Sequence, residues 1–223
     1  MIDVSNLTKS YYFDSKKVTI FENLSFSIKT GESVALLGAN GSGKSTLLRI
    51  LGGIDQPDSG IIKTDSSISW PVGLVGGFQG SLSARENIVF VSKIYVGSDL
   101  QLIKEKIDKV EKFAEIGEYF DRPFKTYSSG MRSRITFGLS MAFDFDVYLI
   151  DEITSAGDER FRKKSRKVLS ELHKNSDFIM VDHNFYGLKL HCDRALLLNK
   201  GKLIQFDDVD TAIKIHKELL GRK

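Results

Sequence analysis

The stretch Gly38-Ala39-Asn40-Gly41-Ser42-Gly43-Lys44-Ser45-Thr46 constrains this chain more than any other. It fits the spacing G-x-x-x-x-G-K-S/T. The apolar run Val34-Ala35-Leu36-Leu37 before it reads as a buried strand. After it, Leu47, Leu48, Ile50, Leu51 and Ile54 fall on one face of a helix. Glycines let the backbone between these elements turn and approach a ligand closely. The N–H groups of the loop, backed by a helix N-terminus, form a concavity for anions. Lys44 carries a mobile positive charge toward the β- and γ-phosphates of a nucleotide, and the Ser45 hydroxyl is placed to ligate Mg²⁺.

The 223 residues are enough for one large domain or two small lobes sharing a core. A net charge of +3 gives no argument for a nucleic-acid partner. Arg160, Arg162, Lys163, Lys164, Arg166 and Lys167 read as the solvated face of a helix, with contact to anionic lipid heads as the minor alternative. No stretch approaches the roughly 18 apolar residues of a membrane span. The first residues lack the basic and apolar regions of a signal peptide. A single cysteine, Cys192, excludes an internal disulfide and reads as a small buried residue. Together these features suit the cytoplasm.

In chain order, Ile2 to Leu7 reads as a strand, and Tyr11-Tyr12-Phe13 as aromatics in a polar loop. Leu24, Phe26 and Ile28 alternate with polar residues, as in a half-buried antiparallel strand. One or two short strands are expected between Ile61 and Trp70, then a mobile glycine-rich loop from Pro71 to Gly80. Ser83 is an N-cap with Glu86 at capping-box spacing, opening a helix to about Tyr95. A second helix carries Leu102 to Ala114, and a third opens at Tyr127-Ser128-Ser129-Gly130-Met131. Val147-Tyr148-Leu149-Ile150 and Phe178-Ile179-Met180-Val181 are buried strands, with a basic helix from Glu159 to His173 between them. A hairpin about Asn199-Lys200-Gly201-Lys202 and a helix from Asp208 to Leu220 close the chain.

The strand ending in Asp151-Glu152 is a second nucleotidase signal: one carboxylate can hold Mg²⁺ through water, and the other can orient or deprotonate an attacking water. With this pair in place, the chain resembles the nucleotide-binding subunit of ABC transporters over nearly its whole length. Tyr127 to Met131 resembles the LSGGQ signature, and Asp151 to Asp158 the Walker B motif and D-loop. Gln79 matches the Q-loop glutamine, His183 the switch histidine, and Tyr11 the aromatic that stacks on adenine, with Tyr12 a rival. Ser129, Met131, Ile153 and Gly157 depart from the residues usual in these motifs.

The resemblance implies an α/β fold: a P-loop NTPase (RecA-like) core with an antiparallel β subdomain, residues 1–80 and 144–223, and an inserted α-helical subdomain over about residues 81–143. It implies ATP and Mg²⁺, bound through Tyr11, residues 38–46 and the metal ligands Ser45, Gln79 and Asp151. Glu152 is then the general base, and His183 and Lys44 offset charge on the γ-phosphate. Ser128, Ser129 and Gly130 would act on ATP held by a second copy in a head-to-tail homodimer, with Asp158 also meeting that copy.

The block from Trp70 to Asn87, with Tyr127 to Arg134 and Ser140 to Phe143, is similar to ATPases that export capsular polysaccharide. O-antigen and teichoic acid exporters are the alternative relatives, and a soluble ABC ATPase without transport a further one. The resemblance implies a polytopic membrane permease as partner, docking near Phe78 to Asn87, and a lipid-linked polysaccharide handled through it. The location implied is the cytoplasmic face of the inner membrane, as a peripheral subunit, with no nucleic acid bound. No room follows the last helix for the carbohydrate-binding domain of some O-antigen ATPases, which favours the capsule branch.

Overall fold

A computed structural model describes residues 1–73, 77–151 and 158–221, apart from the side chain of Phe13. They form two compact units. One contains residues 1–71, 145–152 and 170–223, and the other residues 72–144 and 153–169.

In the first unit, β1 (Ile2–Phe13) lies between β2 (Lys16–Ile28) and β4 (Ser59–Thr64), antiparallel to both. Tyr11 and Tyr12 therefore sit in a strand, opposite Val18 and Lys17, and not in the expected loop. Register shifts between Leu7 and Ser10 let pairing continue past the polar stretch.

The second sheet has the order β5-β6-β3-β7-β8. It comprises β3 (Val34–Leu37), β5 (Val147–Asp151), β6 (Asp177–Val181), β7 (Arg194–Asn199) and β8 (Lys202–Phe206). The first four are mutually parallel, and β7 and β8 form the expected antiparallel hairpin. Runs such as Val147 to Ile150 are buried throughout, as strands covered on both faces must be. Leu7, Phe21, Val34, Leu47, Leu149 and Leu196 share one core.

At the N-terminal edge of this sheet, Ser33 N–H donates to Asp193 and Ser33 Oγ accepts from Phe178 N–H, tying the starts of β3, β6 and β7 together. The opposite edge carries the loops after β3, β5 and β6. Asp151 pairs with Val181 there, one residue beyond the level at which Met180 pairs with Ala35. Open α/β sheets bind ligands at this carboxyl edge.

Three further helices belong to this unit: α1 (Lys44–Leu51), α6 (Phe185–His191) and α7 (Val209–Gly221). The short α6 carries no clear periodicity and was not expected from the sequence.

The second unit holds α2 (Ala84–Val96), α3 (Leu100–Ala114), α4 (Ser129–Ser140) and most of α5 (Glu159–Leu172). Phe113 of α3 stacks on Phe137 of α4 at 5.2 Å, and Phe161 of α5 meets both edge-on. This aromatic cluster explains why most of α5 groups with the helices and not with the sheet. Its other face is the basic one: Phe161, Ser165 and Leu169 are buried, while Arg160, Lys163, Arg166 and Lys167 are exposed.

Candidate nucleotide site

The loop between β3 and α1 is held down on the sheet. A Cβ on Gly38 would lie 2.5 Å from both the Leu198 carbonyl oxygen and Ser42 Oγ, so no larger residue fits. Gly43, at φ +102°, turns the chain into α1 in a conformation that L side chains rarely adopt. As the N-cap of α1 it has no side chain to offer, and no acidic residue stands in the first turn. The helix N-terminus therefore keeps its N–H groups and positive field uncapped, as an anion site requires.

Lys44 is 9% exposed, and its Nζ donates to the carbonyls of Gly38 at 2.9 Å and Ala39 at 3.2 Å. Its charge is thus held against the loop. Ser42 Oγ is buried with no hydrogen-bond partner among the described residues. A buried hydroxyl without a partner costs free energy unless a ligand satisfies it. Both features fit a bound polyphosphate.

A cavity of about 370 Å³ opens beside the loop, lined by Gly38, Ala39, Asn40 and Lys44 together with Asp182, His183 and His216. Asp182 accepts from Asn184 N–H at 2.8 Å, and Asn184 caps α6 by accepting from Tyr186 N–H. These two turns present His183 to the cavity. Asp182 was not singled out from the sequence, although an Asp directly before a candidate histidine is a recognisable turn former.

Tyr11 is tied to the end of the loop and to the turn after α1. Its hydroxyl donates to Asp55, and Arg49 donates to both Tyr11 Oη and Thr46 Oγ1. Lys9 sits 4.9 Å from the centre of the Tyr11 ring and bonds Asp55 at 2.7 Å. Burial raises the Asp55 pKa, but hydrogen bonds from Lys9 and Tyr11 outweigh it and bring the carboxyl below its ordinary value. Tyr12 is 71% exposed and has none of these ties. The structure thus brings Tyr11, residues 38–46 and His183 into one unit, with Asp151 at the same sheet edge. Ser45 is exposed in the first turn of α1. Its hydroxyl and the Asp151 carboxylate are hard oxygen donors, which suit Mg²⁺ with water completing the shell. Glu152 lies outside the described residues.

The remaining candidates belong to the helical unit. Gln79 is exposed, but its backbone is clamped by Asn87. The Asn87 side chain accepts from Gln79 N–H at 2.7 Å and donates to the carbonyls of Gln79 and Ser83. The capping box of α2 is complete: Ser83 accepts from Glu86 N–H, and Glu86 accepts from Ser83 N–H.

Ser128 caps α4 by accepting from Met131 N–H at 3.2 Å. Tyr127, just before it, is buried. Its hydroxyl accepts from Ala84 N–H and donates to the Phe120 carbonyl, joining the starts of α2 and α4. A Cβ on Gly130 would meet nothing nearer than Ser128 Oγ at 4.0 Å. Among the described residues, nothing in the packing requires glycine at that position.

Asp158 caps α5 by accepting from Phe161 N–H at 2.8 Å, and it pairs with Arg134 at 2.7 Å. The backbone bond to Phe161 first, and Arg134 second, lower its pKa.

Residues 21–155 match the family model described as ABC transporter. The polysialic acid transport ATP-binding protein KpsT of Escherichia coli is 52% identical, over 97% of this chain and 96% of its own length. The capsule polysaccharide export ATP-binding protein CtrD of Neisseria meningitidis serogroup B is 41% identical, over 98% of this chain and all of its own. More distant is the O-antigen export system ATP-binding protein RfbB of Klebsiella pneumoniae, 31% identical over 92% of this chain and 84% of its own. The ATP-binding cassette MJ0796, in a dimeric post-hydrolysis state bound to ADP and Pi, superposes with a TM-score of 0.76, covering 94% of this chain and 99% of its own at 23% identity. That last likeness shows a shared fold. On the strength of the family match and near full-length identity to these ATP-binding proteins, the chain belongs to the ABC transporter family as an ATP-hydrolysing cassette.

Proposed function

We propose that this cassette drives export of a lipid-linked capsular polysaccharide. It works as a head-to-tail homodimer on a polytopic permease, peripheral to the cytoplasmic face of the inner membrane. The observation that carries the cargo reading is the near full-length similarity to proteins named for polysialic acid transport and capsule polysaccharide export. Among the described residues no helix is long and apolar enough to cross a membrane.

The geometry of the loop supports the following division of roles. The loop N–H groups and the uncapped start of α1 bind the phosphates. Ser42 Oγ gains an acceptor, and Lys44 exchanges loop carbonyls for phosphate oxygens. The Tyr11 ring, fixed by Asp55 and Arg49, provides a stacking face for adenine. Ser45, Asp151 and Gln79 would hold Mg²⁺, which would supply neutralisation of phosphate charge. Glu152 takes the proton of the attacking water, and His183 and Lys44 offset charge on the γ-phosphate oxygens. Ser128, Ser129 and Gly130 present the start of α4 to the phosphate held by the second copy. Asp158, besides capping α5, lies in the segment that meets that copy.

The test replaces wild type by Glu152→Gln in the native host and quantifies surface and cytoplasmic polysaccharide by composition. Polymer lost from the surface and accumulating inside is the expected result. Unchanged surface polymer, with the variant expressed and folded, would reject the capsule reading.

A further inference from the structure

His216 of α7 is 8% exposed, and no role was assigned to it above. It lines the cavity that holds Lys44, Asp182 and His183. It also lines a second cavity of about 430 Å³ that adjoins the outer turn of the loop, formed by Ala39 to Ser42, Leu197 to Lys200, Leu219 and Leu220. The imidazole therefore stands behind the outer turn of the phosphate loop, with Phe185 edge-on at 6.3 Å.

We propose that His216 is a positioning residue for the terminal phosphate: α7 walls the compartment behind the loop, and the imidazole takes up a proton as the phosphate anion enters. The charged groups that face it support this. Lys44 and His183 share its first cavity and Lys200 its second, while Lys217 follows it in the helix and lies over Phe185. Among the described residues, the one carboxylate in those walls, Asp182, accepts from Asn184 N–H. Burial first, then Lys44 and His183, hold the imidazole below its ordinary pKa. An anion brought among these groups reverses the local field and favours the imidazolium. The protonated ring then offers the phosphate a charge-assisted hydrogen bond from the α7 wall of the cavity.

The inference rests on the ATP-binding reading of the loop, which MgADP binding by the parent reports independently. The experiment is isothermal titration calorimetry of the full chain carrying Glu152→Gln, so that ATP is bound and not turned over. MgATP and MgADP are titrated near pH 7, with Mg²⁺ in excess, in two buffers of different ionisation enthalpy.

The parent takes up a measurable fraction of a proton with MgATP and less with MgADP. Adding His216→Gln abolishes the difference and weakens MgATP about tenfold, the worth of one charge-assisted bond. MgADP affinity is retained, and adding His183→Gln instead leaves the uptake in place. Proton uptake unchanged by His216→Gln, or lost with His183→Gln and kept with His216→Gln, overturns the proposal. His216→Asn is the second variant. If both substitutions also lose MgADP binding, the ring is a packing residue and the proposal fails.

Discussion

The hydroxyl of Tyr11 donates to the carboxylate of Asp55, 44 residues further along the chain. Arg49 then links the same phenol to Thr46, at the end of the phosphate loop. Tyr11 is thereby fixed beside the end of the phosphate loop, whereas Tyr12 is largely exposed. Tyr11→Ala is expected to weaken ATP binding about tenfold, since base–aromatic stacking is worth roughly 1–3 kcal/mol. Tyr11→Phe keeps the ring and weakens it less, and Tyr12→Ala leaves affinity unchanged. Fluorescent-nucleotide titration of the three variants checks this, and a loss confined to Tyr12→Ala would reverse the assignment.

The same carboxylate sets a pH dependence. Asp55 has a folded pKa below the unfolded value of about 3.9. Its contribution to stability is therefore present above the unfolded pKa and is lost as pH falls through the folded one. Urea unfolding of wild type and Asp55→Asn should show a constant stability gap from about pH 5 to 8, shrinking below about pH 4. A gap that grows on acidification would contradict the depressed pKa.

What the sequence made legible was what is local in it. The phosphate loop is nine consecutive residues, and the Ser83 and Ser128 caps each act within three residues of their partners. What it hid depends on distant pairing. The continuation of β1 through Tyr11 is decided by β2, and the Asp55 partnership by the β1–α1 packing. His216 reads as one polar residue in an amphipathic helix until α7 is laid beside the loop. The helix α6 is only seven residues long, too short for periodicity to show.

Gly130 separates structural from functional demand. The space around it is open, so Gly130→Ala should stabilise the fold by about 0.4–1 kcal/mol, through a less disordered unfolded chain. If glycine is there to let the phosphate held by the second copy approach, the same change should cut ATP turnover by an order of magnitude or more. Thermal unfolding and steady-state ATPase assays on one preparation test both halves. Full activity in a stabilised variant would remove the close-approach explanation.

Asn87 makes the most specific demand on one side chain. It is 1% exposed, and its amide accepts from Gln79 N–H while donating to the carbonyls of Gln79 and Ser83. Asn87→Ala leaves these backbone groups without their partner, at a cost of about 1–3 kcal/mol. Asn87→Asp retains the acceptor for Gln79 N–H but turns a second carboxylate oxygen toward two carbonyls. Because lone pairs then face lone pairs in a buried site, Asp should be the worse substitution at neutral pH. Protonating that carboxyl restores a donor, so the Asp variant alone should recover stability as pH falls toward 5. If Gln79 serves the metal and the permease, both variants lose turnover at temperatures well below unfolding, because its backbone anchor is gone. Circular dichroism melts at pH 5 and 7, paired with ATPase rates, provide the test. An Asp variant more stable than the Ala variant at pH 7 would refute the hydrogen-bond assignment of the Asn87 amide.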